Sequence, residues 1–464
     1  MAQRRHASEA IADFAANFDV KRIGAEHVRL SGRALADTFA VAVAGQKEES
    51  VTRVRRYVDG LASGSLPLSA CGGTVASLWG NFATAATLEG AALANGVAAH
   101  ILDFDDASSS MSGHPSSALF PALIALGEAR GVSGSRLIEA YLIGFEICCR
   151  LGRALDPEHY ERGWHMTASV GTVAAAVACS YLIGLDSIHI AHSIGLAVAQ
   201  TAGSRENFGT DAKAFQVGQC NAAALRATLL AEQGFTSAVT ALDGKAGYTR
   251  LYSNAEDLSA ALEGLGERPL EIERSGIEVK KYPACYAVHR PLDGVFHLMR
   301  TQDVRFDDIE GVDIETSHGV LALLIPGIPR SGMESKFSMT YAIAAAIADR
   351  EIRLSTFTDE AVRRPHIHGL MRRVNAQECD GAMIPRFAIT SIRLKSGNIV
   401  SHRVDALHGS PTSPLSDSEL LEKIEDCLKW ARSPIDSESI LDVTKDIRKS
   451  SVRALVAALM APTH

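Results

Sequence analysis

The chain has 464 residues, with 46 basic and 54 acidic side chains and a formal net charge of −8. Apolar residues make up 47% and charged residues 22%, which is ordinary globular usage and excludes collagen-like, coiled-coil and disordered chains. The mild acidity argues against nucleic acid as a partner, because phosphate binding needs a basic face. At about 150 residues per domain the length indicates two or three domains, and the alanine-rich composition indicates closely packed helices.

Helices are predicted for most of the first half of the chain, where glycines such as Gly184 and Gly234 follow the last helical turn. The run Met166–Leu185 carries no charge but is rich in alanine, glycine, serine and threonine. It therefore favours a central helix buried in protein over a membrane span. The predicted helices are Ser31–Gly45, Thr84–Leu102, Ser116–Ala129, Ser135–Leu151, Thr167–Leu182, Ser187–Ala202 and Ala214–Gln233.

The amino-acid composition changes near residue 271, where β-branched residues become frequent. Two alternating runs joined by residues 395–398 predict a hairpin, because alternation with a period of two is typical of a strand. Strands are predicted at Glu271–Lys281, Val312–Ile325, Ile389–Leu394 and Ile399–Val404.

A smaller α+β domain therefore interrupts the helical one. Its helix is predicted over Glu334–Ala348, and Ser416 with Glu419 forms a capping box where helices resume. The predicted fold class is mainly α, with an all-helical domain at residues 1–271 and 407–464 and an inserted α+β domain at residues 272–406.

The eight cysteines are scattered without a CxxC pair, which is typical of buried thiols in the cytoplasm. We find no secretory peptide, Rossmann glycine fingerprint, P-loop or GxSxG motif. The close histidine pairs, His189 with His192 and His366 with His368, lack the cysteine partners of a metal site. We therefore expect no cofactor and no metal, and acid–base chemistry remains.

An acidic string, Asp103-Phe-Asp-Asp106, precedes His114-Pro115 at the start of a predicted helix. Three carboxylates within four residues are costly to bury unless they are used in a site. The proline would hold the His114 imidazole at the helix N-terminus. The string is either part of a catalytic site or a solvated loop followed by a helix cap at Ser116.

Two further segments place polar side chains beside apolar helices. Tyr160 and His165 lie in a short loop that enters the uncharged helix, where they either bind a carboxylate and carry a proton or form a capping turn with Thr167. Lys213 opens an alanine-rich helix, where a lysine is costly unless it is paired or binds an anion. The alternative is that Lys213 extends to the surface.

Two basic segments of the second half are candidate anion sites. The first places Lys280, Cys285 and His289 around Pro283, and the second is a loop-to-helix entry that begins at Arg330. Each is equally compatible with a cluster of surface charges.

Together these segments resemble the MmgE/PrpD family over almost the whole chain. That family includes 2-methylcitrate dehydratases, cis-aconitate decarboxylases and iminodisuccinate epimerase. The resemblance implies a large all-helical domain that holds both termini, a smaller α+β lid domain, an active site between them and a cytoplasmic homodimer. The motifs that carry it are Leu102–Asp106 with His114–Ser116, Gly163–Thr167, Lys280–Cys285 and Glu334–Tyr341.

The resemblance also implies which residues of this chain form the site. Some positions differ from the family pattern, which indicates changed substrate contacts. Ala107 or Ser108 stands where most members have a threonine, Gln216 stands where they have a histidine, and Asp211-Ala212 replaces the usual Met-Thr. The implied catalytic residues are Asp103, His114, Tyr160, His165 and Lys213, and the implied substrate contacts are Ser108, Gln216, Lys280, Cys285 and Arg330.

The implied activity is that of a cofactor-independent lyase of the dehydratase type, which removes a proton next to a carboxylate of a small di- or tricarboxylic acid. Lys213, Lys280 and Arg330 would neutralise the substrate's negative charge. The implied partners are this substrate and a second copy of the chain, without nucleic acid or membrane.

Three alternatives to the dehydratase-type lyase remain open. The segments around His159–His165 and Asn207–Thr210 are most similar to iminodisuccinate epimerase, in which case Tyr160 and Lys213 would act on opposite faces of a stereocentre. Loss of carbon dioxide would make the chain a decarboxylase of a cis-aconitate-like acid. The last alternative is a ligand-binding paralogue without activity.

Overall fold

The computed structural model describes residues 5–62, 75–80, 84–255, 257–302, 304–381 and 386–462. The chain divides into two compact units, one from Met1–Glu278 with Leu420–His464 and one from Val279–Glu419. Both divisions fall later in the chain than the predicted boundaries at 271/272 and 406/407.

Backbone hydrogen bonds explain where the units divide. Glu278 exchanges backbone hydrogen bonds of 2.9 Å with Ala107 in both directions, and this pairing holds the 271–278 stretch to the helical unit. His408 donates its backbone N–H to Asp293 at 3.0 Å, and the N–H of Val279 donates to the Gly409 carbonyl at 2.9 Å. The segment after residue 407 therefore belongs to the second unit.

The first unit is helical, which confirms the prediction of a mainly α chain. The predicted helix at Thr84–Leu102 differs, because its first residues pair as the short strand β2 (Ala85–Thr87) with β1 (Val75–Ser77). Before the second unit begins at residue 279, the α-helices of the first unit are α1 (Ala7–Ala16), α2 (Ala25–Gly45), α3 (Glu49–Ala62), α4 (Leu88–His100), α5 (Pro115–Arg130), α6 (Gly134–Leu155), α7 (Glu158–Glu161), α8 (Met166–Leu182), α9 (Ser187–Val198), α10 (Asp211–Glu232), α11 (Tyr248–Tyr252), α12 (Ser259–Leu262) and α13 (Glu271–Arg274).

Helix α8 lies at the centre of the helical unit. Every residue from Met166 to Leu182 is buried, and the helix packs against α5, α6, α9 and α10. Its lack of charge is thus explained by burial in protein, as the composition predicts. Within the described ranges, no helix combines the length and the apolar character needed to cross a membrane.

Helices α4 and α10 pack closely because two glycines meet at their crossing. A Cβ on Gly218 would lie 2.5 Å from the carbonyl oxygen of Leu93, and a Cβ on Gly96 would lie 2.9 Å from the Cα of Gly218. Neither position has room for a side chain. The crossing matters for function because α4 leads into the acidic string and α10 carries Lys213.

The second unit packs helices against a four-stranded sheet. Strand β3 (Ile309–Thr316) pairs in parallel with β4 (Val374–Glu378) and antiparallel with β5 (Ala388–Leu394), which forms the predicted hairpin with β6 (Ile399–Val404). Its helices are α14 (His289–Thr301), α15 (Gly332–Ser335), α16 (Met339–Asp349), α17 (Asp359–Val362) and α18 (Pro365–Met371), and the chain continues through α19 (Asp417–Ala431), α20 (Ser437–Lys445) and α21 (Val452–Leu459).

Three predicted elements of this half need correction. The strand at Glu271–Lys281 is wrong, since the segment forms α13 and then a single β-bridge to Ala107. Strand β3 ends at Thr316 rather than continuing to Ile325. The helix predicted over Glu334–Ala348 is interrupted at Ser338, whose hydroxyl accepts the N–H of Tyr341 and so begins a new helix.

Substituting Gly218→Ala is expected to lower the free energy of unfolding by about 1–3 kcal/mol, the usual cost of overpacking. The measurement is urea unfolding followed by circular dichroism. Gly60→Ala in α3 is the matched control, since its Cβ would meet no atom within 4 Å. An equal effect of both substitutions would contradict the close crossing.

Candidate active site

The acidic string forms a buried loop between α4 and α5. Asp103 is 5% exposed, and Asp105 and Asp106 are fully buried, so the solvated-loop alternative is wrong. Asp103 has a left-handed backbone with φ of 52°, a conformation that aspartate tolerates better than most residues. The loop therefore holds three carboxylates inside the helical unit.

A lysine from α19 anchors this loop. Lys423 donates from Nζ to the carbonyl oxygen of Phe104 at 2.8 Å and forms an ion pair with Asp37 at 2.5 Å. Both side chains are buried. Burial raises the pKa of Asp37, against the opposing effect of Lys423.

Asp106 is a structural member of the string. Its carboxylate accepts the backbone N–H of Ser116 at 3.2 Å and the hydroxyl of the same residue, which also contacts the Tyr141 hydroxyl at 2.8 Å. Burial raises the pKa of Asp106 well above its usual range, and the charge of Asp37 raises it further. Ser116 follows the helix start, while His114 occupies the N-cap position.

Asp105 lies between two histidines. Its Oδ2 is 2.8 Å from Nδ1 of His100 and 3.4 Å from Nδ1 of His114, and the two rings are 4.7 Å apart. His114 Nδ1 is also 2.8 Å from the carbonyl oxygen of Asp106. Because a carbonyl oxygen only accepts, His114 carries a hydrogen on Nδ1, so any proton that the ring exchanges passes through Nε2.

The group of His100, Asp105 and His114 has ligand atoms within 4.8 Å of one another, which makes it a candidate for a metal ion. Its contacts have hydrogen-bond lengths, however. Ligand atoms around a tetrahedral ion stand about 3.4 Å apart, whereas His100 Nδ1 and Asp105 Oδ2 are 2.8 Å apart. The three side chains fit a hydrogen-bonded group better than a metal site.

Lys213 is buried in the first turns of α10, where Thr210 caps the helix by accepting the N–H of Ala212 at 3.3 Å. Its Nζ forms an ion pair with Asp103 and lies 5.2 Å from the centre of the Phe208 ring. The alternative that Lys213 extends to the surface is thus wrong. The Lys213–Asp103 ion pair is therefore buried in the helical unit.

His165 joins the same cluster from the N-terminus of α8. Its ring stacks 5.7 Å from that of His100, and its Nδ1 is 2.7 Å from Oε1 of Gln216. Burial lowers the pKa of His165 well below its usual range, and His100 and Lys213 lower it further. His165 is therefore a neutral base at physiological pH.

Two other predicted residues of this unit lie in different surroundings. The Tyr160 ring lies 3.5 Å from the guanidinium carbon of Arg205, which also donates to the Tyr160 carbonyl oxygen at 2.7 Å. The hydroxyl of Ser108 lies 3.6 Å from the thiol of Cys149 and is buried. Their predicted roles in acid–base catalysis and in substrate binding stay predictions.

Three predicted substrate contacts belong to the second unit. Lys280 and Cys285 are buried, and the backbone N–H of Cys285 donates to the Lys336 carbonyl at 2.9 Å. Arg330 is exposed, and its backbone N–H donates to Glu334 at 2.7 Å. Their contact with substrate likewise stays a prediction.

The sequence analysis assigned no individual site role to four residues that hold the cluster together. His100 and Asp105 lie within or beside the acidic string, and their spacing of five residues was a usable signal. Asp37 is the one charged residue in the stretch 34–45 of α2, where an unexplained carboxylate is itself a signal. Lys423, 319 residues after Phe104 in sequence, had no local signal.

Comparison with known proteins finds two family models that together cover most of the chain. The MmgE/PrpD N-terminal domain matches residues 9–261, and the MmgE/PrpD C-terminal domain matches residues 282–448. Among curated proteins, cis-aconitate decarboxylase of Mus musculus is 27% identical over 421 residues, which cover 85% of this chain and 81% of that protein. The Homo sapiens protein of the same name is 27% identical over 77% of this chain and 76% of its own length.

Substituting Lys423→Met is expected to destabilise the protein by about 3–5 kcal/mol, because it leaves the buried Asp37 carboxylate without its cation. Chemical unfolding measures the change. Lys449→Met is the control, since Lys449 pairs with Asp446 on the surface and such pairs contribute about 0–1 kcal/mol. The double variant with Asp37→Asn should recover part of the loss, and no recovery would argue against the pair as its cause.

Proposed function

Because the chain belongs to the MmgE/PrpD family, we propose that it is a lyase that acts on a small di- or tricarboxylic acid. The first reaction to test is decarboxylation of a cis-aconitate-like acid, the activity named for the relatives that align with most of this chain. The observation that carries the proposal is the buried Lys213–Asp103 ion pair beside two histidines with different environments.

The charges of the cluster suit an anionic substrate. Lys213 is a buried cation, and an ammonium in a site shielded from water attracts a substrate carboxylate strongly. Asp103 holds that lysine in place through the ion pair. Lys213 therefore binds a carboxylate and stabilises the negative charge that develops on the neighbouring carbon.

The two histidines divide the proton transfer. The Asp105 carboxylate lies 3.4 Å from Nδ1 of His114, whereas Nδ1 of His165 faces the neutral amide of Gln216. His165 lies among His100, His114 and Lys213 and is neutral. The site thus contains a proton donor, His114, and a proton acceptor, His165, and groups with environments that differ in this way are typical acid–base pairs.

Decarboxylation requires the proton donor, His114. The bond between the substrate carbon and the leaving carboxylate breaks, carbon dioxide leaves, and the electron pair moves into the carbon framework. His114 then delivers a proton from Nε2 to carbon, and solvent reprotonates the ring. Dehydration would use both groups, since His165 would remove a proton from carbon while His114 protonates the departing hydroxyl.

Products formed in deuterated water distinguish the reactions. We expect cis-aconitate to release carbon dioxide and to yield an unsaturated dicarboxylate with one deuterium on carbon, as seen by NMR. Formation of an alkene from a 2-hydroxy acid without carbon dioxide would replace decarboxylation by dehydration. Deuterium uptake without either product would favour epimerisation, and binding without turnover would favour the inactive-paralogue hypothesis.

Lys213→Met and His114→Gln are each expected to lower kcat/KM by about 10²–10⁴-fold, the usual contribution of a group that stabilises developing charge or of a positioned acid–base group. Steady-state assays of carbon dioxide release measure the loss. Lys245→Met, at an exposed lysine of the same unit, is the matched control and should leave the rate unchanged. Full activity of either site variant would refute the assignment of the cluster.

A further inference from the structure

Gln216 connects His165 to the backbone of a neighbouring loop. It lies on α10 three residues after Lys213. Its Nε2 donates to the carbonyl oxygen of Ser204 at 3.0 Å, and its Oε1 is 2.7 Å from Nδ1 of His165. Gln216 therefore contacts a ring and a backbone carbonyl at the same time.

These two contacts determine where the hydrogens are. The Ser204 carbonyl oxygen only accepts, so the atom that faces it must be the amide nitrogen of Gln216. The amide oxygen then faces His165, and an oxygen that only accepts requires a hydrogen on Nδ1. The neutral His165 ring consequently has its lone pair on Nε2.

We propose that Gln216 is a positioning residue that fixes the Nδ1–H tautomer of His165 and thereby commits Nε2 of that ring to proton transfer. Its predicted role as a substrate contact is replaced by this one. The catalytic consequence rests on the function proposed above, whereas the tautomer itself does not.

Backbone hydrogen bonds fix the segment of His165 beside the loop that Gln216 contacts. The N–H of His165 donates to the carbonyl of Gly203 at 3.1 Å, and Trp164 pairs with Ser204 in an isolated β-bridge. The loop at Gly203 and Ser204 thus accepts hydrogen bonds both from the side-chain amide of Gln216 and from the backbone N–H of His165.

Glycine is required where these groups converge. Gly203 has φ of 128°, and a Cβ there would lie 3.2 Å from the Cβ of His165 and 3.3 Å from Oε1 of Gln216. A side chain at this position would push the ring and the amide apart. Gly203 therefore allows the hydrogen bond between His165 and Gln216 to form.

A neutral acceptor suits the charges around His165. The titratable groups that act on this ring are His100 from α4, His114 before α5 and Lys213 on α10, and each disfavours a second positive charge. An amide orients the ring without stabilising its protonated form as strongly as a carboxylate would. Gln216 therefore sets the tautomer and leaves His165 neutral, with its lone pair on Nε2.

The tautomer is measurable without any substrate. Nitrogen-15 NMR of histidine-labelled protein at pH 8 distinguishes protonated from bare ring nitrogens, and the His165→Gln variant assigns the signal. We expect His165 to show a protonated Nδ1 and a bare Nε2. In Gln216→Met, which removes the acceptor, we expect a mixture of both tautomers. Gln233→Met, at the exposed end of the same helix, is the control and should leave the signal unchanged.

Two variants separate this role from a structural one. For dehydration, in which His165 removes a proton from carbon, Gln216→Met should lower kcat on the order of 10²-fold with little change in KM, because a positioned base is lost and no substrate contact is removed. Gln216→Glu keeps an acceptor on Nδ1, so it should retain the tautomer and raise the pKa of His165. The acidic limb of its kcat profile should then move to higher pH.

The outcomes separate the two proposals. A bare Nδ1 in the unmodified protein, or a Gln216→Met protein with an unchanged tautomer, would overturn the role of Gln216. A rise in KM alone would overturn it in favour of a substrate contact. If the NMR results are as expected but none of the candidate acids is converted, the tautomer assignment stands and the lyase proposal fails.

Discussion

The burial of carboxylates without access to water is the constraint on which the site depends. An ionised carboxylate transferred unpaired into a protein interior costs many kcal/mol, so each one needs a partner. The structure supplies a different partner for each carboxylate. These pairs are Asp37 with Lys423, Asp103 with Lys213, Asp105 with His100 and His114, and Asp106 with Ser116.

Because two of the partners, Lys213 and Lys423, come from distant parts of the chain, the pairs that hold the buried carboxylates also assemble the site. Lys213 is supplied by α10 and His100 by α4, the two helices that cross at paired glycines. The crossing brings the lysine within reach of Asp103. Close helix packing, which the alanine-rich composition predicts, is thus a condition for the ion pair as well as for the core.

Local signals account for what could be predicted from the sequence. The bounds of α5 and α8 follow from Pro115 at the first position of α5 and from Gly184 just after α8, and an isolated lysine at the start of an apolar helix indicated Lys213. Non-local contacts account for what could not. Residues 271–281 have the composition of a strand, yet Glu278 forms a single β-bridge there, to Ala107 in the loop after α4. Lys423 could not be assigned because its partners lie more than 300 residues earlier.

The replacement of the family's histidine by Gln216 can be interpreted physically only when the hydrogen bonds of Gln216 are known. From the motif alone, the replacement of a histidine by glutamine indicated altered substrate contacts. A histidine in that place would itself titrate, so its charge would couple to that of His165. An amide does not titrate, and its orientation is determined by the Ser204 carbonyl. The replacement therefore removes one proton equilibrium from the cluster and leaves the ionisation of His165 to burial and to its cationic neighbours.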